Sequence, residues 1–299
     1  MAELCLGTVQ FGMKYGIHNQ NGQPSEEECF EMLDLAYESG IRKFDTAFAY
    51  GTAEDVLGKF IEKRKLSGKL DVISKLKPNI LDGNEQDVVK LVTEEAKQSI
   101  ERLKVDKLDG YLLHTPAYIY NTQILEGLKE CKKRGLVTNI GISIYEIEDG
   151  VAAVNTGIID YIQLPYSILD QRGMKEKFLS YAKENNVTIF ARSGFLQGLI
   201  MMEEETIPEY LNSSKTYLKK FDDILKKYNV EKVNGLIHFV LDNEYVDYFV
   251  FGVDTKQQLL EDLECAVKKT VPKEFIEETR EAFQNIEKSI IFPSLWAKR

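Results

Sequence analysis

Short apolar runs alternate with amphipathic stretches along almost the whole chain. The run "ELCLGTVQF" at 3–11 reads as a first strand. In the next stretch, "PSEEECFEMLDLAYESG", Ser25 and Glu28 have the spacing of a capping box and Gly40 supplies the stop of a helix. "IRKFDTA" is a second strand, and "AEDVLGKFIEKR" a helix with Val56, Leu57, Phe60 and Ile61 on one face. "LDVISKL" is the third strand. Residues 87–104 then carry the helical stripe Val88, Leu91, Val92, Ala96, Ile100 and Leu103. The fourth strand, "LDGYLLH", precedes a helix over 121–134 that stops at Gly135. "VTNIGIS" is followed by a short helix from Glu146, "IDYIQLPY" by a helical segment at 174–184, and "VTIFARS" by one or two helices within 214–242. "VDYFVFGV" is the eighth strand, with a helix over 256–268 after it and an extra outer helix over 272–287.

Strands that alternate with helices imply a parallel sheet. Strands that are apolar throughout are buried on both faces. Eight such units close more naturally into an α/β (β/α)₈ (TIM) barrel than into an open sheet. No low-complexity linker or break in composition divides the chain, so a single domain over 1–299 is expected.

Composition narrows the function classes. The chain has 299 residues, 43% hydrophobic and 29% charged, enough for a sizeable core in a soluble protein. A formal charge of −10 opposes non-specific nucleic-acid binding, which needs a basic surface, but leaves room for a local anion site. No apolar run approaches the roughly 20 residues that span a bilayer, and the N-terminus lacks the basic-then-apolar pattern of a secretion signal. No nucleic-acid or membrane partner is therefore expected. Cys5, Cys29, Cys131 and Cys265 are far apart with no C-x-x-C, and read as small buried thiols of a cytoplasmic protein. His18, His114 and His238 have no helical metal-ligand spacing, so no metal is expected. The oligomeric state is left open.

In such barrels the chemistry sits at the carboxyl ends of the strands. There the sequence has Asp45, Lys75, His114, Ser143, Gln163, Arg192, Ser193, Gly252 and Val253. Each alone has an ordinary reading: Asp45 as a loop cap, Lys75 as a solvated strand end, His114 as a satisfied core histidine, nearby Tyr50 as packing. Polar groups on apolar strands are costly unless paired, and so many at one mouth point to a site.

Asp45 and Tyr50 in "FDTAFAYG", Lys75 in "ISKL" and His114 in "LLHTP" resemble, in order and strand position, the catalytic tetrad of the aldo-keto reductase family. The resemblance extends from "LGTVQFG" to "GVDTKQQLLEDL". It implies an NAD(P)H-dependent reductase of a small-molecule aldehyde or ketone. Tyr50 would be the general acid, its phenol lowered by Lys75; Asp45 would keep Lys75 charged, and His114 would orient the carbonyl.

For the cofactor, the resemblance implies that Ser143 and Gln163 hold the nicotinamide carboxamide. The family often has an asparagine after that serine, where this chain has Ile144. Arg192 stands where a stacking tyrosine is common, and is expected at the ring or near the substrate. "SGFLQGL", with Ser193, Gly194, Leu196 and Gly198, is similar to the pyrophosphate loop, its glycines allowing close approach. Gly252, Val253, Asp254, Thr255, Gln258 and Asp262 correspond to the adenosine-phosphate site, with Thr255 and Gln258 capping a helix whose N-terminus attracts anions. Asp262 stands where an asparagine often reads the adenine. Basic residues that commonly hold a 2′-phosphate are replaced here by Gly252 and Gln258, with Lys256 the one obvious cation. NADP(H) is expected from family habit, with NAD(H) possible. Phe48, Tyr118, Phe195 and Met201 are candidates for the pocket wall.

Two rivals remain. A strand-end lysine can serve as a Schiff-base nucleophile when its pKa is lowered, but Asp45 beside Lys75 works in the opposite direction. A cofactor-binding sensor or regulatory barrel with little turnover would keep the same fold.

Overall fold

In the computed structural model, which describes residues 1–81, 87–268 and 270–296, eight parallel strands pair in sequence order and close on themselves. They are β1 (Glu3–Gly7), β2 (Lys43–Asp45), β3 (Asp71–Leu76), β4 (Leu108–Leu113), β5 (Val137–Ser143), β6 (Tyr161–Pro165), β7 (Thr188–Arg192) and β8 (Tyr248–Phe251). Closure comes from β1 against β8, with Glu3 opposite Tyr248 and Leu6 opposite Phe251. The helices are α1 (Val9–Gly12), α2 (Glu26–Glu38), α3 (Ala53–Arg64), α4 (Val88–Leu103), α5 (Thr122–Lys133), α6 (Ile147–Asn155), α7 (Arg172–Lys175), α8 (Phe178–Glu184), α9 (Ser214–Tyr228), α10 (Lys232–Leu241), α11 (Lys256–Lys268), α12 (Lys273–Ala282) and α13 (Lys288–Ile291).

Successive side chains of a strand alternate between its faces, and that period separates two cores. Cys5, Ile73, Leu112, Tyr161, Phe190 and Val250 fill the barrel's interior. A larger apolar layer, including Phe44, Val72, Leu113 and Ile162, lies between strands and helices. Moving two residues along from interior positions reaches Lys75, His114, Gln163, Arg192 and Gly252. The polar strand ends are thus the last inward-facing positions.

Several boundaries differ from the pattern. The first strand stops at Gly7, not at residue 11, because Thr8 turns to donate its N–H and hydroxyl to the Asp45 carbonyl and α1 begins. The segment 174–184 is two helices broken at Lys177, which takes a left-handed φ of 58°. Within 214–242 there are two helices. The extra helix ends at Ala282, and the chain returns through α13 to bring Pro293 and Ser294 to the cavity described below. Ser25 and Glu28 form the expected capping box.

Candidate active site

Asp45 ends β2 and Lys75 lies one residue from the end of β3, so their side chains meet inside the barrel. Lys75 Nζ donates to both Asp45 oxygens at 2.7 Å and to the Thr46 carbonyl at 3.0 Å. Gln163 on β6 reaches across to donate to Asp45 Oδ1 at 2.8 Å, and accepts from Ser143 Oγ at 3.4 Å. Lys75 and Gln163 are fully buried. A buried ammonium survives only with such a partner.

Tyr50 is delivered by the loop between β2 and α3. That loop lies so close to α1 that a Cβ on Gly12 would collide with the Tyr50 carbonyl, and one on Gly51, at φ +58°, with the Gly12 carbonyl. The Tyr50 hydroxyl ends 3.4 Å from Lys75 Nζ. His114, just beyond β4, meets the Tyr50 ring edge-on with centroids 5.6 Å apart. Its Nδ1 is buried and has no protein partner among the described residues.

Electrostatics correct one expectation. Burial, followed by Asp45, pushes the Tyr50 phenol above its ordinary value, while Arg192 pulls the other way. The net direction is the reverse of the anticipated lowering by Lys75, because burial and the Asp45 charge dominate. Burial also pulls Lys75 below its usual value, with Asp45 opposing. His114 is lowered to about 3, first by burial and then by the charges of Lys75 and Arg192. At neutral pH the cluster therefore holds a neutral phenol and a neutral imidazole beside an ion pair.

The cluster heads a cavity of about 600 Å³. Asp45, Tyr50, His114, Ser143, Arg192, Ser193, Gly194, Leu196, Gly198, Gly252, Val253, Asp254, Gln258 and Asp262 line it. Gln163 and Thr255 are not among its lining residues. Gln163 is buried behind Asp45, while Thr255 Oγ1 accepts from Gln258 N at 3.2 Å as the cap of α11. The Asp254 N–H is taken by Gln258 Oε1 at 2.7 Å. Ile144, in place of the asparagine, turns its side chain into the core and offers its carbonyl to Arg192. Of the proposed wall residues, Phe195 and Met201 line the cavity and Phe48 and Tyr118 do not. Phe48 instead lies against Lys77 and Arg102, each 5.0 Å from its ring centre.

The glycines prove to be needed for packing. A Cβ on Gly194 would strike the Phe249 ring at 2.6 Å, and Gly198 combines φ +87° with contact against His18. Ser193, Leu196, Gln197 and Gly198 all take left-handed backbone angles, which bends the segment around the cavity.

Other lining residues carried no signal in the sequence because they lie on irregular loops or in the single turn of α1. Tyr15, His18 and Asn19 belong to a loop over the cavity, held by Ile17 N to the Gln197 carbonyl at 3.1 Å and by Asn19 Nδ2 to Asp254 Oδ1 at 2.9 Å. Gln10 has a buried Oε1, without a partner among the described residues, facing Gly252. Tyr145 supports Arg192, whose guanidinium carbon is 4.3 Å above the ring.

The Aldo/keto reductase family model matches residues 3–283. The chain belongs to the aldo/keto reductase family. Among curated members of the family, aldo-keto reductase YhdN of Bacillus subtilis is 27% identical over 263 residues, covering 80% of this chain and 78% of that protein. The NADH-specific methylglyoxal reductase of Escherichia coli is 24% identical over 245 residues, covering 76% of this chain and 74% of that one. A holo-form aldo-keto reductase structure from Bacillus halodurans superposes with a TM-score of 0.75 at 24% identity, covering 98% of this chain and 94% of the other. As a family member the chain is an oxidoreductase of the carbonyl-directed class. Among the described residues no group of His, Cys, Asp and Glu is arranged to hold a metal, and no helix is long and apolar enough to cross a membrane.

Proposed function

We propose that this protein reduces an aldehyde or ketone to an alcohol with a nicotinamide dinucleotide, Tyr50 giving the proton. The observation that supports this most directly is the Tyr50–Lys75–Asp45–His114 cluster at the cavity. The residues fit such a cofactor. The unpartnered Gln10 Oε1 beside Gly252 is a ready acceptor at the strand mouth. Ser143 would hold the nicotinamide end with Arg192 alongside the ring, the 193–198 segment the phosphates, and Gly252 to Gln258 with Asp262 the adenosine. When bound, a reduced nicotinamide supplies hydride to the carbonyl carbon.

The chain's own groups do the rest. Burial keeps Tyr50 protonated, so it donates to the oxygen as negative charge develops there. Lys75 Nζ, donating toward Tyr50 Oη, stabilises the phenolate left behind, and Asp45 with Gln163 holds Lys75 in that position. Neutral His114 orients the same oxygen with a ring N–H. General acid catalysis of this kind contributes about 10²–10⁴-fold. Tyr50→Phe is therefore expected to abolish carbonyl reduction while leaving cofactor binding intact; retained turnover would refute the assignment.

Family resemblance favours NADP(H), but one feature of the cavity favours NAD(H). Asp254 and Glu261 line the end at α11, and Lys256 is engaged with Glu31 at 3.2 Å. A 2′-phosphate brought among carboxyls without a cation is repelled. The E. coli relative whose name says NADH-specific is in keeping with this. Fluorescence titration with NADH and with NADPH tests the choice. Binding of either without turnover of any aldehyde would favour the sensor reading.

A further inference from the structure

Arg192 is the single lysine or arginine among the described residues lining the cavity. It is the last inward-facing residue of β7, level with the catalytic cluster. Its guanidinium is well anchored. Nη1 donates to Ser193 Oγ at 3.1 Å, and Nη2 to the Ile144 carbonyl at 3.0 Å. Its plane rests on Tyr145, whose other neighbour is Phe292 with ring centres 5.6 Å apart. Both hydrogen-bond partners are neutral. Among the described residues no carboxylate pairs with Arg192, although the chain carries ten more acids than bases. The nearest acid of the cluster, Asp45, is committed to Lys75.

A guanidinium has five N–H donors in a planar fork suited to carboxylate and phosphate, and two contacts leave donors to spare. Held half-buried by an aromatic stack, it cannot swing out to solvent. Its charge is felt within the cluster, since it helps lower His114. The cavity head thus holds one cation more than its anions. Hydrophobic lining by Tyr15, Tyr145 and Phe195 strengthens the field there.

We infer that the substrate is a carbonyl compound carrying an anionic group, a carboxylate or a phosphate, which Arg192 binds while Tyr50 and His114 engage the carbonyl. This deepens the reductase reading and rests on it. Arg192 then sets specificity: it fixes one end of the substrate so that the carbonyl oxygen meets the phenol.

The test compares kcat/KM for 4-oxobutanoate and its uncharged methyl ester, and for glyceraldehyde 3-phosphate and glyceraldehyde, in the wild type, Arg192→Lys and Arg192→Gln. A charge-assisted hydrogen bond corresponds to about 10–100-fold. The wild type is expected to prefer the charged member of at least one pair by that factor. Which pair responds identifies carboxylate or phosphate. The ratio should fall toward unity in Arg192→Gln and be partly restored in Arg192→Lys, whatever the absolute rates. Equal use of charged and neutral members by the wild type, or a preference that persists in Arg192→Gln, overturns the inference and leaves carbonyl reduction standing. Succinate and inorganic phosphate, followed by the shift in Tm they produce, read the anion site without turnover. Stabilisation by either that is lost in Arg192→Gln supports the site even if no carbonyl is reduced, a result that would sink the reductase reading alone. No stabilisation by either, together with no charge preference, overturns the anion site.

Discussion

Replacing Asp45 by Asn leaves the Lys75 ammonium buried among neutral acceptors alone: the amide oxygen that replaces a carboxylate oxygen, the Thr46 carbonyl at 3.0 Å and the Tyr50 hydroxyl at 3.4 Å. Removing one member of a buried pair typically costs about 3–5 kcal/mol. The structure sets a ceiling on that cost, because the lysine can escape by losing its proton. Starting from the ordinary lysine value of 10.5, deprotonation costs about 1.4 kcal/mol for each pH unit below it. The ceiling is thus about 5 kcal/mol at pH 7 and about 2 kcal/mol at pH 9. The sign follows from a folded-state pKa below the unfolded one: the penalty exists wherever the unfolded lysine is charged, and fades as pH rises toward 10.5. Lys75→Met removes the charge altogether, so the double variant should regain most of the stability lost by Asp45→Asn. Urea unfolding of the apoprotein, read through its single tryptophan, Trp296, at pH 7 and pH 9 measures all four corners of the cycle. Effects that add to within about 0.5 kcal/mol, or a penalty equal at the two pH values, would refute the account of Lys75 as a charged lysine held by Asp45.

Other expectations follow from neighbouring features. Burial pushes the Asp262 carboxyl up to about 8, so the folded state holds its proton while the unfolded state gives it up. Wild-type stability should fall between about pH 4 and 8 relative to Asp262→Asn, by about 1.4 kcal/mol per unit; unfolding at pH 5 and pH 8 that shows a constant difference would contradict this. Gly198→Ala, at φ +87° and against His18, should destabilise by about 1–2 kcal/mol and loosen the 13–19 loop, seen as faster limited proteolysis there. In Gly252→Ala the new methyl would lie 2.5 Å from Gln10 Oε1, a flexible tip. That variant should fold normally yet bind nicotinamide dinucleotide more weakly in a fluorescence titration.

The fold was legible because both periods in the sequence were clean: strands such as "YFVF" are apolar on both faces, and helices such as α4 carry one stripe. The boundaries that were misread have local causes. Thr8 ends β1 by bonding to Asp45, and Lys177 breaks the helix by a left-handed turn, neither of which changes hydrophobic pattern. Asp45, Lys75 and His114 were visible as polar residues where apolar strands end. Tyr15, Asn19 and Tyr145 were not, because a loop residue's position depends on backbone turns with no period. Gln163 shows the limit of counting strand ends: it is at the mouth, but faces Asp45 from behind instead of lining the cavity. The net direction for Tyr50 was misjudged for a related reason, since the sequence shows the neighbouring ammonium but not the burial and the Asp45 charge that outweigh it.

The bond from Gln163 to Asp45 joins residues 118 positions apart in the chain, crossing the barrel from β6 to β2. Contacts of such long sequence separation are formed only after much chain has been ordered. A molecule in which β1 to β4 had associated but β6 had not would have Lys75 beside Asp45 with its brace missing. Newly made or refolding chains should therefore acquire secondary structure well before they acquire a working proton donor. Recovery of turnover during refolding would then serve as a clock for closure of the barrel.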